Sequence, residues 1–137
     1  MEVDGNRIEA GANLEGADLL GANLEGANLE GAKLKFANFK GAKLWSANFK
    51  GADLESAYFE GAYLEGSGVF DLGQRSDGYQ FFVHKRDDTL YILAGCRYFT
   101  IEDAWDHWKN KRQGTNLQRE TFFMLERAEK LYEMYLK

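Results

Sequence analysis

Five residues in the second half of the chain carry side chains that could do chemistry: His84, Cys96, Arg97, Asp106 and His107. Cys96 beside a histidine would make a nucleophile–base pair. The same pair could begin a metal site, but four ligands at usable spacing are missing, so neither a metal nor a cofactor is expected. His84 and Arg97 on adjacent strands could hold an anion or phosphate, with His107 as a third member. Structural readings compete with each of these. Gly95-Cys96 at a strand end reads as a tight bend with a buried thiol. Arg97 could pair with Asp103 or Asp106, and His107-Trp108 could pack as the inner face of a helix. The chain contains no P-loop, GxGxxG, GxSxG or HExxH motif, and no catalysis is expected.

The elements that would position these residues begin at Ser67. SGVFDLGQRSDG reads as a Gly-rich, turn-like junction. YQFFVHKR and TLYILAGCRYF, separated by Asp87-Asp88, read as a β-hairpin. Tyr79, Phe81 and Val83 share one face with Leu90, Ile92 and Ala94 of the return strand. Phe82, Tyr91 and Leu93 make the other face apolar too, so both sides of the hairpin are expected to be covered. Thr100 is a suitable N-cap for a helix running to about Arg112 and ended by Gly114, with Ile101, Ala104, Trp105 and Trp108 as its buried stripe. Thr115 with Gln118 suggests a capping box for a last helix. Along that helix Leu117, Thr121, Met124, Ala128, Leu131 and Tyr135 follow one face, widened by Phe122, Leu125 and Tyr132. A stripe so wide suits packing on the end of the fold built by the first half of the chain, a dimer seam, or both, with Leu117, Met124, Leu131 and Tyr135 as the association residues.

The first half has a different organisation. From Ala12 to Gly66 the chain divides without a gap into eleven five-residue units, from ANLEG to AYLEG. The central residue is always Leu or Phe, and the residue two before it is always Ala. Neither a helix nor an ordinary strand has a period of five. The pattern resembles that of the pentapeptide-repeat family, A(D/N)LxX, over 55 of 137 residues. That resemblance implies a right-handed, four-sided β-helix with one unit per side and four per coil. The fold expected is therefore mainly β: a lead-in over residues 1–11, a quadrilateral β-helix of just under three coils over 12–70, and a small α+β module over 71–137. Residues twenty apart would stack at the inter-strand spacing of about 4.8 Å, giving roughly 13 Å of solenoid. Leu14/Leu34/Leu54, Leu19/Phe39/Phe59, Leu24/Leu44/Leu64 and Leu29/Phe49, continued by Val69, would form the core stacks. A solenoid this short needs caps. Val3 and Ile8 are what the lead-in can offer, and the C-terminal segment is expected to close the other end.

Outward positions carry a second pattern. The same stacking puts Lys35 between Glu15 and Glu55, and Lys50 beside Glu30, which would fix register and solubility. The exceptions are Phe36 where other units have Gly or Ser, Trp45 where they have Glu or Lys, Tyr58 and Tyr63 in place of Asn or Asp, and Leu20 in place of Glu. Trp45 and Tyr63 fall on one side, one coil apart, beside Lys43. Exposed aromatics grouped this way mark contact surfaces.

Composition narrows the partners. The formal net charge of −5 falls within residues 1–66, which hold 6 Lys+Arg against 11 Asp+Glu; residues 67–137 hold 11 of each. Direct nucleic-acid binding would want a basic excess. No stretch approaches a membrane span, and the polar, acidic start MEVDGNRIEAG does not read as a secretion signal. A single cysteine fits a reducing cytoplasm, that of a bacterial host. The segment AGCRYFTIEDAWDHW (94–108) resembles part of small phage and prophage proteins of unassigned function, with Arg119-Glu120-Thr121 keeping a later element of that pattern. The expectation is a non-enzymatic phage-type accessory protein, a rigid scaffold that self-associates and binds a host protein. Two alternatives stand beside it. Some pentapeptide-repeat proteins mimic DNA and inhibit topoisomerases, and the C-terminal module could bind a small anion or nucleotide.

Overall fold

A computed structural model describes residues 1–95 and 97–136. Each five-residue unit supplies one short bridge and one turn, and the chain returns upon itself every twenty residues. Asn13 pairs in parallel with Lys33, Lys33 with Asp53, Asn38 with Tyr58 and Lys43 with Tyr63. Main-chain bonds bracket each bridge, as in Leu14 N–H to Lys33 O at 2.8 Å and Lys33 N–H to Ala12 O at 2.9 Å. The central Leu or Phe points inward because its neighbours on both sides turn away. Leu19, Leu24, Leu29, Leu34, Leu44 and Leu54 are fully buried. Phe39 stacks on Phe59 at 5.2 Å, and Phe49 meets Phe59 edge-on at 5.9 Å. Four turns per twenty-residue coil make this a β-helix-type coil.

The Asn or Asp that seven of the eleven units carry has a local task. Its side-chain oxygen accepts the amide two residues on, as Asn28 does from Glu30 at 3.1 Å and Asn48 from Lys50 at 3.0 Å. This satisfies a turn amide that the coil's own ladder leaves free. The last residue of the unit, three places after the Asn or Asp, sits at the turn in the left-handed region. Gly16 fills that place in the first coil (φ 70°), but Phe36 occupies it in the second at φ 63°. A phenylalanine there costs roughly 1–2 kcal/mol of backbone strain.

The lead-in is a small antiparallel hairpin, β1 (Glu2–Val3) with β2 (Asn6–Arg7). It lays Ile8 and Val3 over the first coil, Ile8 being buried. The other end is closed by a four-stranded antiparallel meander: β3 (Val69–Gln74), β4 (Gln80–Arg86), β5 (Thr89–Ala94) and β6 (Arg97–Thr100). The hairpin expected from the sequence is thus its central pair. The supposed junction is itself a strand, with a bulge between Asp71 and Gly73 that absorbs the glycine. The run TLYILAGCRYF is two strands, because the chain reverses at Gly95, whose φ is +62°. Cys96, and with it the buried-thiol and nucleophile readings, lies outside the described residues.

Alternation splits the sheet between two cores. Phe82, Leu93 and Tyr98 pack with the coil interior, where Phe82 lies 5.8 Å from Phe59. Phe81, Val83, Leu90, Ile92 and Ala94 face two helices, α1 (Ile101–Lys109) and α2 (Asn116–Leu131). A final π-helical turn, Tyr132–Leu136, follows. Arg86 reaches Asp53 of the third coil at 3.7 Å, an ion pair across the coil–sheet junction.

Thr100 and Thr115 cap the helices as expected, accepting the amides of Asp103 at 3.1 Å and Gln118 at 3.3 Å. Helix α1 ends at Lys109 with Asn110 as C-cap, short of Arg112 and Gly114. The capping box is half-formed. Gln118 accepts from the amide of Gly114 rather than of Thr115, and its side-chain nitrogen donates to the carbonyls of Trp108 and Lys109. That pulls the end of α1 onto the start of α2. Helix α2 lies on the sheet, away from the coil, with Thr121, Met124, Leu125 and Ala128 buried. Among the described residues no helix is long and apolar enough to cross a membrane.

Candidate functional site

The five outward exceptions of the repeat do not form one patch. The twenty-residue register puts Phe36 on the edge shared with Gly16 and Ser56, Leu20 and Tyr58 on the next side two coils apart, and Trp45 and Tyr63 on a third. Phe36 and Tyr58 each lie under a lysine, Lys35 at 5.5 Å and Lys40 at 5.3 Å from the ring centroid. Leu20 stands alone, 61% exposed. Trp45 and Tyr63 do meet, with ring centroids 4.9 Å apart, and Tyr63 remains 48% exposed. Tyr63 pairs with Lys43 through the backbone bridge. Of the anticipated charge ladders, Lys35 reaches Glu55 at 3.6 Å; among the described residues neither Glu15–Lys35 nor Glu30–Lys50 closes to ion-pair distance.

The three residues proposed to hold an anion are separated by the sheet. His84 points to the coil face, buried beside the stacked rings of Tyr91 and Tyr98, 5.8 and 5.7 Å from their centroids. Its Nε2 bonds the Tyr98 hydroxyl at 2.9 Å. Burial pushes its pKa down to about 4, so the ring is neutral at neutral pH. The same burial raises the Tyr98 hydroxyl far above its ordinary range.

Arg97 and His107 come together on the helix face, around a cavity of about 300 Å³. Arg75, Lys111 and Arg112 join them there, and Tyr79, Trp108 and Gln118 complete much of the wall. Arg75 is buried and committed: its guanidinium donates to Asp77 at 2.9 and 2.6 Å and to the Thr121 hydroxyl at 3.2 Å. That fork holds the Asp77 carboxyl below its usual pKa. Arg97 pairs with neither Asp103 nor Asp106; among the described residues Arg97, Lys111 and Arg112 have no ion-pair partner. His107 is held below its ordinary pKa, first by desolvation and then by Arg97 and Lys111. Sequence spacing gave no signal for Arg75, Lys111 or Arg112; the register Phe81–Ala94–Arg97 across β4, β5 and β6 is what places Arg97 on this face.

The association residues proposed on α2 are divided. Met124 is buried against the sheet, Leu117 and Leu131 are half-buried, and Tyr135 is exposed but stacked beside Phe70 at 5.8 Å. Phe123 and Met134, 72% and 67% exposed, are what the end of the chain offers to solvent. Among the described residues no group of three His, Cys, Asp or Glu is placed to hold a metal.

The family of pentapeptide repeats matches residues 10–45 and 32–67, in eight copies. Among solved structures, a pentapeptide repeat protein (Rfr23) from the cyanobacterium Cyanothece 51142 is 48% identical over 36% of this chain and 34% of its own, with a TM-score of 0.36. A second, alr5209 from Nostoc Pcc 7120, is 38% identical over 47% of this chain and 62% of its own, with a TM-score of 0.32. A third, HetL from Nostoc sp. Strain PCC 7120, described as involved in heterocyst differentiation regulation, is 34% identical over 44% of this chain and 37% of its own, with a TM-score of 0.23. The chain thus spans about a third of the first and three-fifths of the second. No curated protein matches.

Proposed function

We propose that the chain is a non-enzymatic interaction scaffold, a right-handed four-sided prism of pentapeptide repeats that presents the Trp45–Tyr63 face to a protein partner. One observation carries this reading. At two neighbouring outward positions where the repeat places polar residues, two large rings pack against each other and one stays half in water. Tyr63 also gives up the turn-amide bond that Asn13, Asn28 and Asn48 make at the equivalent place, worth about 1 kcal/mol. A surface that sacrifices local stability for exposed aromatic area, on a wall fixed by main-chain bonds to the coil below, has the rigidity and composition of a binding hot spot. Phe123, Met134 and Tyr135 are further exposed apolar side chains that self-association would cover. The resemblance of residues 94–108 to phage and prophage proteins suggests that the partner is a protein of a bacterial host, met in its cytoplasm. Mimicry of DNA is the weaker reading, since Lys35, Lys40 and Lys50 interrupt the acid of the outer coils.

The test restores what the repeat asks for. Trp45→Glu with Tyr63→Asn should leave the fold as stable or more so, and should abolish capture of whatever partner the wild-type chain retains. Undiminished capture together with an unchanged solution mass sinks the proposal.

A further inference from the structure

The cavity on the helix face of the sheet is an electrostatic exception. The chain carries a net charge of −5, yet Arg75, Arg97, His107, Lys111 and Arg112 line this space and no carboxylate does. Asp77 neutralises Arg75 from beside it, and Glu120, the next acid, is engaged by the Ser76 hydroxyl at 2.9 Å. Among the described residues Arg97, Lys111 and Arg112 have no ion-pair partner. Cations scattered over a surface are solvated and say little; cations from three separate segments converging on one concave space repel each other unless an anion joins them.

The support is built rather than incidental. Lys111 and Arg112 sit in the short connection between α1 and α2. That connection is tied down from within: the Lys111 amide donates to Trp108 O at 3.2 Å, and the Thr115 amide donates to Arg112 O at 3.0 Å. Gln118 clamps the same corner through the carbonyls of Trp108 and Lys109. Arg112 is held at φ 53°, in the left-handed region that a non-glycine residue enters only under constraint. The cations are therefore offered from a fixed frame, which lowers the ordering cost of binding.

We infer that this cavity binds a small phosphate-bearing molecule, with Arg97, Lys111 and Arg112 around the phosphate and the rings of Trp108 and Tyr79 beside its organic part. Two guanidinium forks and an ammonium match a tetrahedral dianion better than a planar monoanion. A space of about 300 Å³ lies at the small end of ligand pockets, room for a phosphate monoester with one ring and not for a polymer. This site is independent of the Trp45–Tyr63 face, which lies on the wall of the coil.

The experiment titrates the full chain with phenyl phosphate, inorganic phosphate and benzoate at constant ionic strength set with chloride. Histidine ring resonances and calorimetry are the readouts. The chain has two histidines, so the reporter and its control are both present. Phenyl phosphate should bind saturably, about tenfold or more tighter than benzoate, and should raise the titration midpoint of His107 while leaving His84 unmoved. Arg97→Gln with Lys111→Gln, both exposed and away from the cores, should cut phosphate affinity by about tenfold or more with the urea midpoint retained. Responses no larger than those to chloride overturn the assignment. So does undiminished binding by the double variant, or a response of His84 in place of His107.

Discussion

His84 should make the protein acid-sensitive well above the carboxylate range. Its ring is buried beside two stacked tyrosines and its pKa is about 4 in the folded chain, against about 6.5 when unfolded. Burial is the main cause; the hydrogen bond to the Lys85 backbone, next in size, acts against it, and Arg86 (lowering) and Asp53 (raising) follow. The unfolded chain therefore binds the extra proton first. Stability is complete above about pH 6.5 and is lost as pH falls toward 4, with a full cost of roughly 3 kcal/mol. Between pH 7 and pH 5 the loss from this residue alone works out to about 2 kcal/mol. His107, also depressed, pulls in the same direction, so the assay must isolate His84. Urea unfolding of the wild type and of His84→Gln at pH 7, 6 and 5 does so. The glutamine keeps a polar partner for the Tyr98 hydroxyl but cannot titrate. The variant should start less stable and show about 2 kcal/mol less pH dependence over that range. Parallel pH profiles would refute the reasoning, because they would mean that His84 is solvated in the native state and that the coil–sheet junction is open to water.

The junction and the repeat make further predictions. Phe82→Ala removes the ring that joins the sheet to Phe59, and should cost about 3–5 kcal/mol in urea unfolding, with coil and sheet still lost in one transition; a cost below about 1 kcal/mol would separate the two cores. Phe36→Gly should raise stability by up to about 1 kcal/mol, since relief of the left-handed strain exceeds the added freedom of glycine in the unfolded chain, and a thermal melt reads it directly. Lys35→Ala should change stability by less than about 1 kcal/mol, and raised salt should erase the difference, because its pair with Glu55 is largely solvated.

How far the sequence reached can be argued element by element. In the coil, each five-residue unit states its own register with a central Leu or Phe and a small Ala, and most add an Asn or Asp that bonds the turn. Nothing distant is needed to read it, and the stacks, the capping roles of Ile8 and Val3, and the meeting of Trp45 with Tyr63 follow. The apolar content of both sheet faces was equally plain from Phe81 beside Phe82. Strand β3 was not, because Gly68, Gly73 and Gly78 imitate a loop; one sits in a bulge and another in the following turn. His84 was grouped with Arg97 and His107 by residue type, although alternation along β4 puts it with Phe82 on the coil face. The cavity cations were illegible for a different reason. Arg75, Arg97 and Lys111 belong to three segments far apart in sequence, and only the completed sheet and the Gln118 clamp bring them around one space.

The account's central claim is that the Trp45–Tyr63 face is where another protein binds. The most direct measurement replaces Tyr63 with a photo-crosslinking phenylalanine analogue in the chain expressed in the cells it comes from, with Lys50 on the next side of the coil replaced likewise as the control. The account predicts one discrete cross-linked species from position 63, absent from position 50 and lost when Trp45 is also changed to Glu. No product from position 63, or the same products from both positions, would contradict it.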